Sequence, residues 1–206
     1  IDDKVKLYNS CNTVVNKNGK YYGYNTDVYG FLNSLKRCNV DLKNKKVLVL
    51  GSGGVSRMMA FECAINGSNV FITSRNYKKC CNIRDESAQR LGININVVSQ
   101  HEVNNNFDIV LNGTPCGMYP NELNLPIPFC KINKVPFIFD TIYNPKETLL
   151  TVLAKYCGHK AENGLFMLVE QGAVAQKHFC GLEYSFEEVE KVTEKIEVNP
   201  ININKN

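Results

Sequence analysis

The chain has 206 residues, 44% of them hydrophobic, with nine cysteines and a net charge of +4 from 24 Lys and Arg against 20 Asp and Glu. That length supports one substantial core with room for a smaller second lobe; no segment approaches the roughly 18 apolar residues of a membrane helix. The lysines are scattered rather than gathered in one run, which argues against a nucleic-acid footprint, and the cysteines form no CxxC pair, which argues for reduced thiols, no metal and a cytoplasmic protein.

In chain order, the start Ile1-Asp2-Asp3-Lys4 lacks the order of a signal peptide and does not begin with Met, so a fragment or processed chain is expected. Residues 12–27 predict two short strands around the turn Asn16-Lys17-Asn18-Gly19, and a helix follows from Val28 to about Cys38. From Lys46 the patterns alternate. "KVLVL" is a β-branched strand, "VSRMMAFECAI" carries helical spacing stopped by Asn66-Gly67, and "NVFITS" is a second strand. Next come a helix over "KCCNIRDESAQRL", strands over "INVV", "FDIVLN" and "VPFIFD", and a helix over "ETLLTVLAKYC". Such alternation predicts an α/β fold, a doubly wound parallel sheet of the Rossmann type. Two further helices close the chain, "FMLVEQGAVAQKHF" and "SFEEVEKVTEKI", the second opened by a capping box of Ser185 with Glu188, before a polar, frayed tail from Asn199.

The junction of the first parallel strand and its helix reads Gly51-Ser52-Gly53-Gly54-Val55. Residues without Cβ let the backbone approach a pyrophosphate, and the helix starting near Val55 turns free N–H groups and its positive end toward the anion. The spacing is GxGG rather than full GxGxxG, a weak signal alone and stronger between strand and helix. At the end of the second strand, where NAD-binding folds place an acid for the ribose 2′-hydroxyl, the chain has Ser74, Arg75 and Asn76, with Lys78 and Lys79 close behind. A 2′-phosphate needs cations and donors, so this end predicts NADP rather than NAD.

Together "NTVV" (Asn12–Val15), "GYNTDVYGF" (Gly23–Phe31), "VLVLGSGGVSR", "TSRN", "LNGTPCGM" (Leu111–Met118), "FDTIYNP" (Phe139–Pro145) and "ENGLFMLVEQGAVAQKHFCG" resemble shikimate dehydrogenase from about Ile1 to Gly181. The resemblance implies NADP-dependent, reversible reduction of 3-dehydroshikimate to shikimate in a cleft between two lobes, beside a Lys and Asp pair. Matched residue by residue, it makes Asp27 the catalytic residue that positions the ring hydroxyl and holds the lysine's charge, with Asn12, Asp27, Tyr143 and Gln171 as substrate contacts. It makes Gly51, Ser52, Gly53, Gly54, Val55, Ser74, Arg75, Asn76, Lys79, Thr114, Gly164 and Met167 the cofactor contacts. Read without the family, Asp27 is a helix N-cap for the segment from Val28, Asn12 a turn former, Tyr143 and Met167 core residues and Gln171 a solvated helix position.

The sequence departs from the pattern at two places. Ser74 and Asn76 flank Arg75 where family members more often carry "NRT". The portion that in the family precedes "NTVV", with its carboxylate-holding serines and catalytic lysine, has no match here, and Lys4 and Lys6 are not assigned to it. The implied organisation is residues 1–27 as a remnant of the substrate lobe, 28–164 as the NADP lobe and 165–206 as helices returning to the substrate lobe. Such a chain should bind NADP(H) with little turnover alone, and should expose apolar surface through which it self-associates. The alternatives are a quinate or quinate/shikimate dehydrogenase using NAD, and a non-catalytic NADP-binding module; glutamyl-tRNA reductase and methylene-tetrahydrofolate dehydrogenase share the fold alone.

Overall fold

The computed structural model describes residues 1–198, so the expectation for the tail from Asn199 lies outside the described residues. A short helix, α1 (Asp3–Tyr8), opens the chain, its first turn held by the Asp2 carboxylate accepting from the Val5 amide at 2.7 Å. No pattern in the sequence announced it, because six residues give too few turns for a periodicity. Strands β1 (Thr13–Lys17) and β2 (Lys20–Tyr24) form an antiparallel hairpin. Asn18 and Gly19 both adopt positive φ at its tip, the two-residue turn that suits twisted strands.

Helix α2 (Asp27–Arg37) leads to a six-stranded sheet made of β3 (Lys46–Leu50), β4 (Asn69–Thr73), β5 (Asn96–Val97), β6 (Ile109–Asn112), β7 (Phe137–Asp140) and β8 (Lys160–Glu162). The order is β5-β4-β3-β6-β7-β8 and every pairing is parallel. The order reverses between β3 and β6, the switch point of a doubly wound sheet, where a crevice opens beyond the strand ends. β8 was not foreseen: Lys160-Ala161-Glu162 is polar, short and at the edge, without the β-branched run that marks the inner strands.

Alternate residues of the strands feed opposite faces. Val47, Val49, Val70, Ile72, Leu111 and Phe139 pack under α2, α3 (Gly54–Ile65) and α4 (Tyr77–Leu91), whereas Leu48, Leu50, Val110 and Ile138 pack under α5 (Leu149–Tyr156) and long loops. Burial on both faces is why these strands read as unbroken apolar runs. The connection 113–136 carries no α-helix, only a 3-10 turn at Phe129–Lys131, and five of the seven prolines fall in it. Without free N–H groups these residues cannot continue a helical ladder. α6 (Leu165–Cys180) lies along α2, and α7 (Phe186–Val198) follows it, with Phe166 and Phe186 ring centroids 5.3 Å apart. The Ser185 and Glu188 capping box forms in both directions, at 3.2 and 2.8 Å.

Candidate active site

At the switch point a cleft of about 650 Å³ is lined by Gly51, Ser52, Gly53, Ser74, Arg75, Asn76, Lys79 and Thr114, all expected from the sequence, and also by Gln100 and residues 124–128. Gly51 has φ +115°, and a Cβ there would run into the Ser56 hydroxyl, so the turn out of β3 requires glycine. Gly53 faces open space, and α3 begins there with no side chain capping its N–H groups. Those donors remain available to an anion.

The second strand end is built from local bonds. Ser74 Oγ donates to the Asn76 carbonyl at 2.9 Å, and Asn76 caps α4 by accepting from the Lys79 amide at 3.1 Å. That leaves Arg75 and Lys79 exposed, and among the described residues neither pairs with an acid. Thr73, which ends β4 and also lines the cleft, carries the one buried side-chain oxygen of the described residues that has no hydrogen-bond partner. Such an orphan costs free energy until something supplies a partner. Uncapped helix amides, unpaired cations and this hydroxyl form a donor-rich lining that fits a phosphorylated dinucleotide.

A second cluster gathers residues from three distant segments. Asn12 precedes β1, Asp27 is the first residue of α2 and Gln171 lies mid-way along α6. The Asn12 amide donates to Asp27 Oδ1 at 2.8 Å, to Thr26 Oγ1 at 2.9 Å and to Gln171 Oε1 at 3.4 Å. Its carbonyl accepts from the Thr26 amide at 2.9 Å, which fixes the orientation of the group. Asp27 is therefore not the N-cap that its position suggested. It lies inside the first turn, Thr26 makes no capping bond, and Asn25 Oδ1 takes the Val28 amide at 3.4 Å. Burial pushes the Asp27 carboxyl above the ordinary carboxylate value, opposed in part by the Asn12 bond. Thr26 joins the cluster through Gln171 as well, at 3.2 Å, and escaped the sequence reading because a threonine between Asn25 and Asp27 looks like ordinary helix-start chemistry.

Tyr143 sits apart from that cluster, in a hollow of about 440 Å³ shared with Val55, Thr114, Thr141 and Asn144. Gly54 touches neither hollow; a Cβ there would stand 2.8 Å from the Ser10 hydroxyl, and the Ser10 carbonyl accepts from Asn25 at 3.0 Å. This close approach seats the glycine loop directly against the segment that carries Asn12. Gly164 caps α6 where a Cβ would strike the Thr141 carbonyl, and Met167 is buried against Gly30 of α2. Neither lines a hollow. Lys4 binds Glu62 at 2.8 Å and Lys6 binds Asp3 at 3.0 Å, so neither faces Asp27.

Fold and lining together define an α/β dinucleotide-binding protein. The chain matches no protein-family model. It is 39% identical over 193 residues to the shikimate dehydrogenase (NADP+) of Methanococcus maripaludis, covering 89% of this chain and 66% of that one. It superposes with a TM-score of 0.87 and 32% identity on the chorismate mutase/shikimate 5-dehydrogenase fusion protein from Clostridium acetobutylicum, covering 96% of this chain and 71% of that one. A crystallised shikimate dehydrogenase in complex with NADP+ gives a TM-score of 0.83 at 33% identity, covering 94% and 69% of the two chains. The chain belongs to the shikimate dehydrogenase family. It spans 64–66% of the length of three of the curated relatives it matches.

Proposed function

We propose that this chain binds NADP(H) in the switch-point cleft and forms one wall of a site that interconverts 3-dehydroshikimate and shikimate. The observation that carries the reading is the bonded cluster of Asn12, Asp27 and Gln171 in a chain whose glycine loop and unpaired Arg75 define a separate, donor-rich cleft. Gly51, Ser52, Gly53, Ser74, Arg75, Asn76, Lys79 and Thr114 would hold the cofactor, Arg75 and Lys79 meeting its 2′-phosphate, with Gly54, Val55, Gly164 and Met167 shaping the walls behind. Bound NADPH supplies the hydride. Asn12 and Gln171 offer amide groups to ring hydroxyls, and Tyr143 a phenol. Asp27 Oδ2, which has no partner among the described residues, would accept a substrate hydroxyl.

The lobes follow from the same reading: residues 1–27 and the helices from 165 belong with the substrate, 28–164 with the cofactor. The separate β1–β2 sheet supports this division, as does Tyr24 stacking on His178 of α6 at 3.8 Å between centroids. Among the described residues no helix is long and apolar enough to cross a membrane, in keeping with a place in the cytoplasm. Exposed Ile1, Val14, Tyr21, Phe179 and Leu182 would drive self-association.

Calorimetric titration tests the proposal. NADP+ should bind more tightly than NAD+, and Arg75→Ala should weaken NADP+ alone by about 10- to 100-fold, the worth of a charge-assisted pair. Equal affinity for both cofactors, unchanged in the variant, would sink the NADP assignment. Shikimate added to the NADP+ complex then tests the substrate wall, with Asn12→Ala expected to abolish any heat.

A further inference from the structure

Asp140 is fully buried at the end of β7, and no charged side chain is among its bonding partners. Its Oδ1 accepts from Asn112 Nδ2 at 3.0 Å and from the Ile142 amide at 3.1 Å, and its Oδ2 from the Thr148 hydroxyl at 2.8 Å. Asn112, at the end of β6, turns its carbonyl the other way and receives the Thr114 amide at 3.0 Å and the Thr114 hydroxyl at 2.7 Å. The Ile142 carbonyl receives the Gly164 amide at 3.0 Å at the head of α6. One acid thus reaches both strand-end loops and, through one intervening residue each, Thr114 and Gly164. Residues 113–115 and 141–144 both line the hollow that holds Tyr143.

We infer that Asp140 is a positioning residue that sets the width of this hollow, joining the cofactor-side wall at Thr114 to the Tyr143 wall and to the head of α6. The inference rests on reading those walls as part of the site. Asp140 itself lines neither hollow and touches no ligand; it acts through Asn112 and Ile142. Asn112 can bond both neighbours only with its amide to Asp140 and its carbonyl to Thr114, so the acid also dictates which way Asn112 faces.

Amide hydrogen exchange on the unliganded chain reads the network without requiring activity. In Asp140→Ala the amides of Thr114, Ile142 and Gly164 should exchange about tenfold faster, while Leu48 and Val49 in central β3 keep their protection. Asp140→Asn should restore all three, because its carbonyl still accepts from Asn112 and Ile142 and its amide can donate to the Thr148 hydroxyl. Acceleration confined to Ile142 would overturn the inference, leaving Asp140 as a local turn support. If Asp140→Ala loses protection throughout β3, Thr148→Val replaces it: faster exchange at Thr114 and Gly164 supports the network, and change confined to residues 148–151 overturns it. The NADP+ affinity of each variant is measured in parallel. A parent chain that fails to bind NADP+ defeats the functional reading, and the exchange pattern still decides the network.

Discussion

Thr73 and Arg75 stand two residues apart at one strand end and are left incomplete in opposite ways, one a buried hydroxyl without a partner and the other an exposed cation without an acid. Thr73→Val removes the orphan at nearly constant volume. The unliganded chain should gain up to about 1 kcal/mol in urea unfolding, while NADP+ affinity falls about five- to tenfold if the hydroxyl serves the cofactor. Asp140 gives a prediction in pH. Burial pushes its carboxyl from the ordinary 3.8 up to about 6, outweighing the bonds from Thr148, Ile142 and Asn112. The folded chain therefore keeps a proton there between those values after the unfolded chain has released it. Stability from this group is full below 3.8 and lost as pH rises through about 6, a difference of roughly 3 kcal/mol. Asp140→Asn should flatten that slope and leave the chain more stable than its parent at pH 7, as unfolding at pH 4 and 7 would measure; a parent that gains stability across the same window contradicts it. Residues of this kind were the least legible. Asp140 read as the last letter of a strand, because nothing in a sequence tells a solvated acid from a buried hub.

Elements were legible in proportion to how many residues repeat their pattern. The inner strands and the longer helices came through because both sheet faces and several helical turns bury apolar side chains. α1 and β8 were too short, and the connection 113–136, with five prolines, has no period to read. The glycine loop was found by spacing, yet its glycines do different things. Gly51→Ala should destabilise by about 1–3 kcal/mol, since its positive φ and the Ser56 hydroxyl both refuse a Cβ. Gly53→Ala meets nothing within 4 Å, so stability should shift by less than about 1 kcal/mol while NADP+ affinity drops about tenfold. Paired melting and titration curves separate the two; equal losses of stability would show that both glycines serve the turn alone.

At the scale of the whole molecule, the cluster of Asn12, Asp27 and Gln171 was invisible to spacing, since Asn12 and Gln171 are 159 positions apart. Only likeness to a family brought them together beforehand, and that likeness said nothing of Thr26. No lysine pairs with Asp27 among the described residues. On the proposed reading, and if the lysine that the family resemblance implies beside Asp27 is required, this chain should reduce NADP+ with shikimate about 10²- to 10⁴-fold more slowly than the longer relatives, a deficit the size of one acid–base group, as NADPH absorbance would reveal. Turnover equal to theirs would mean that another group does the lysine's work. α6, with 16 residues, runs for about 24 Å. Its head is pinned beneath the β7 loop through Gly164, its middle presents Gln171 to Asn12, and its far end carries His178 onto Tyr24 of the hairpin. A rod held at three stations cannot slide along its length without breaking one of those contacts, so the place of Gln171 is tied to the β7 loop and to the hairpin at once.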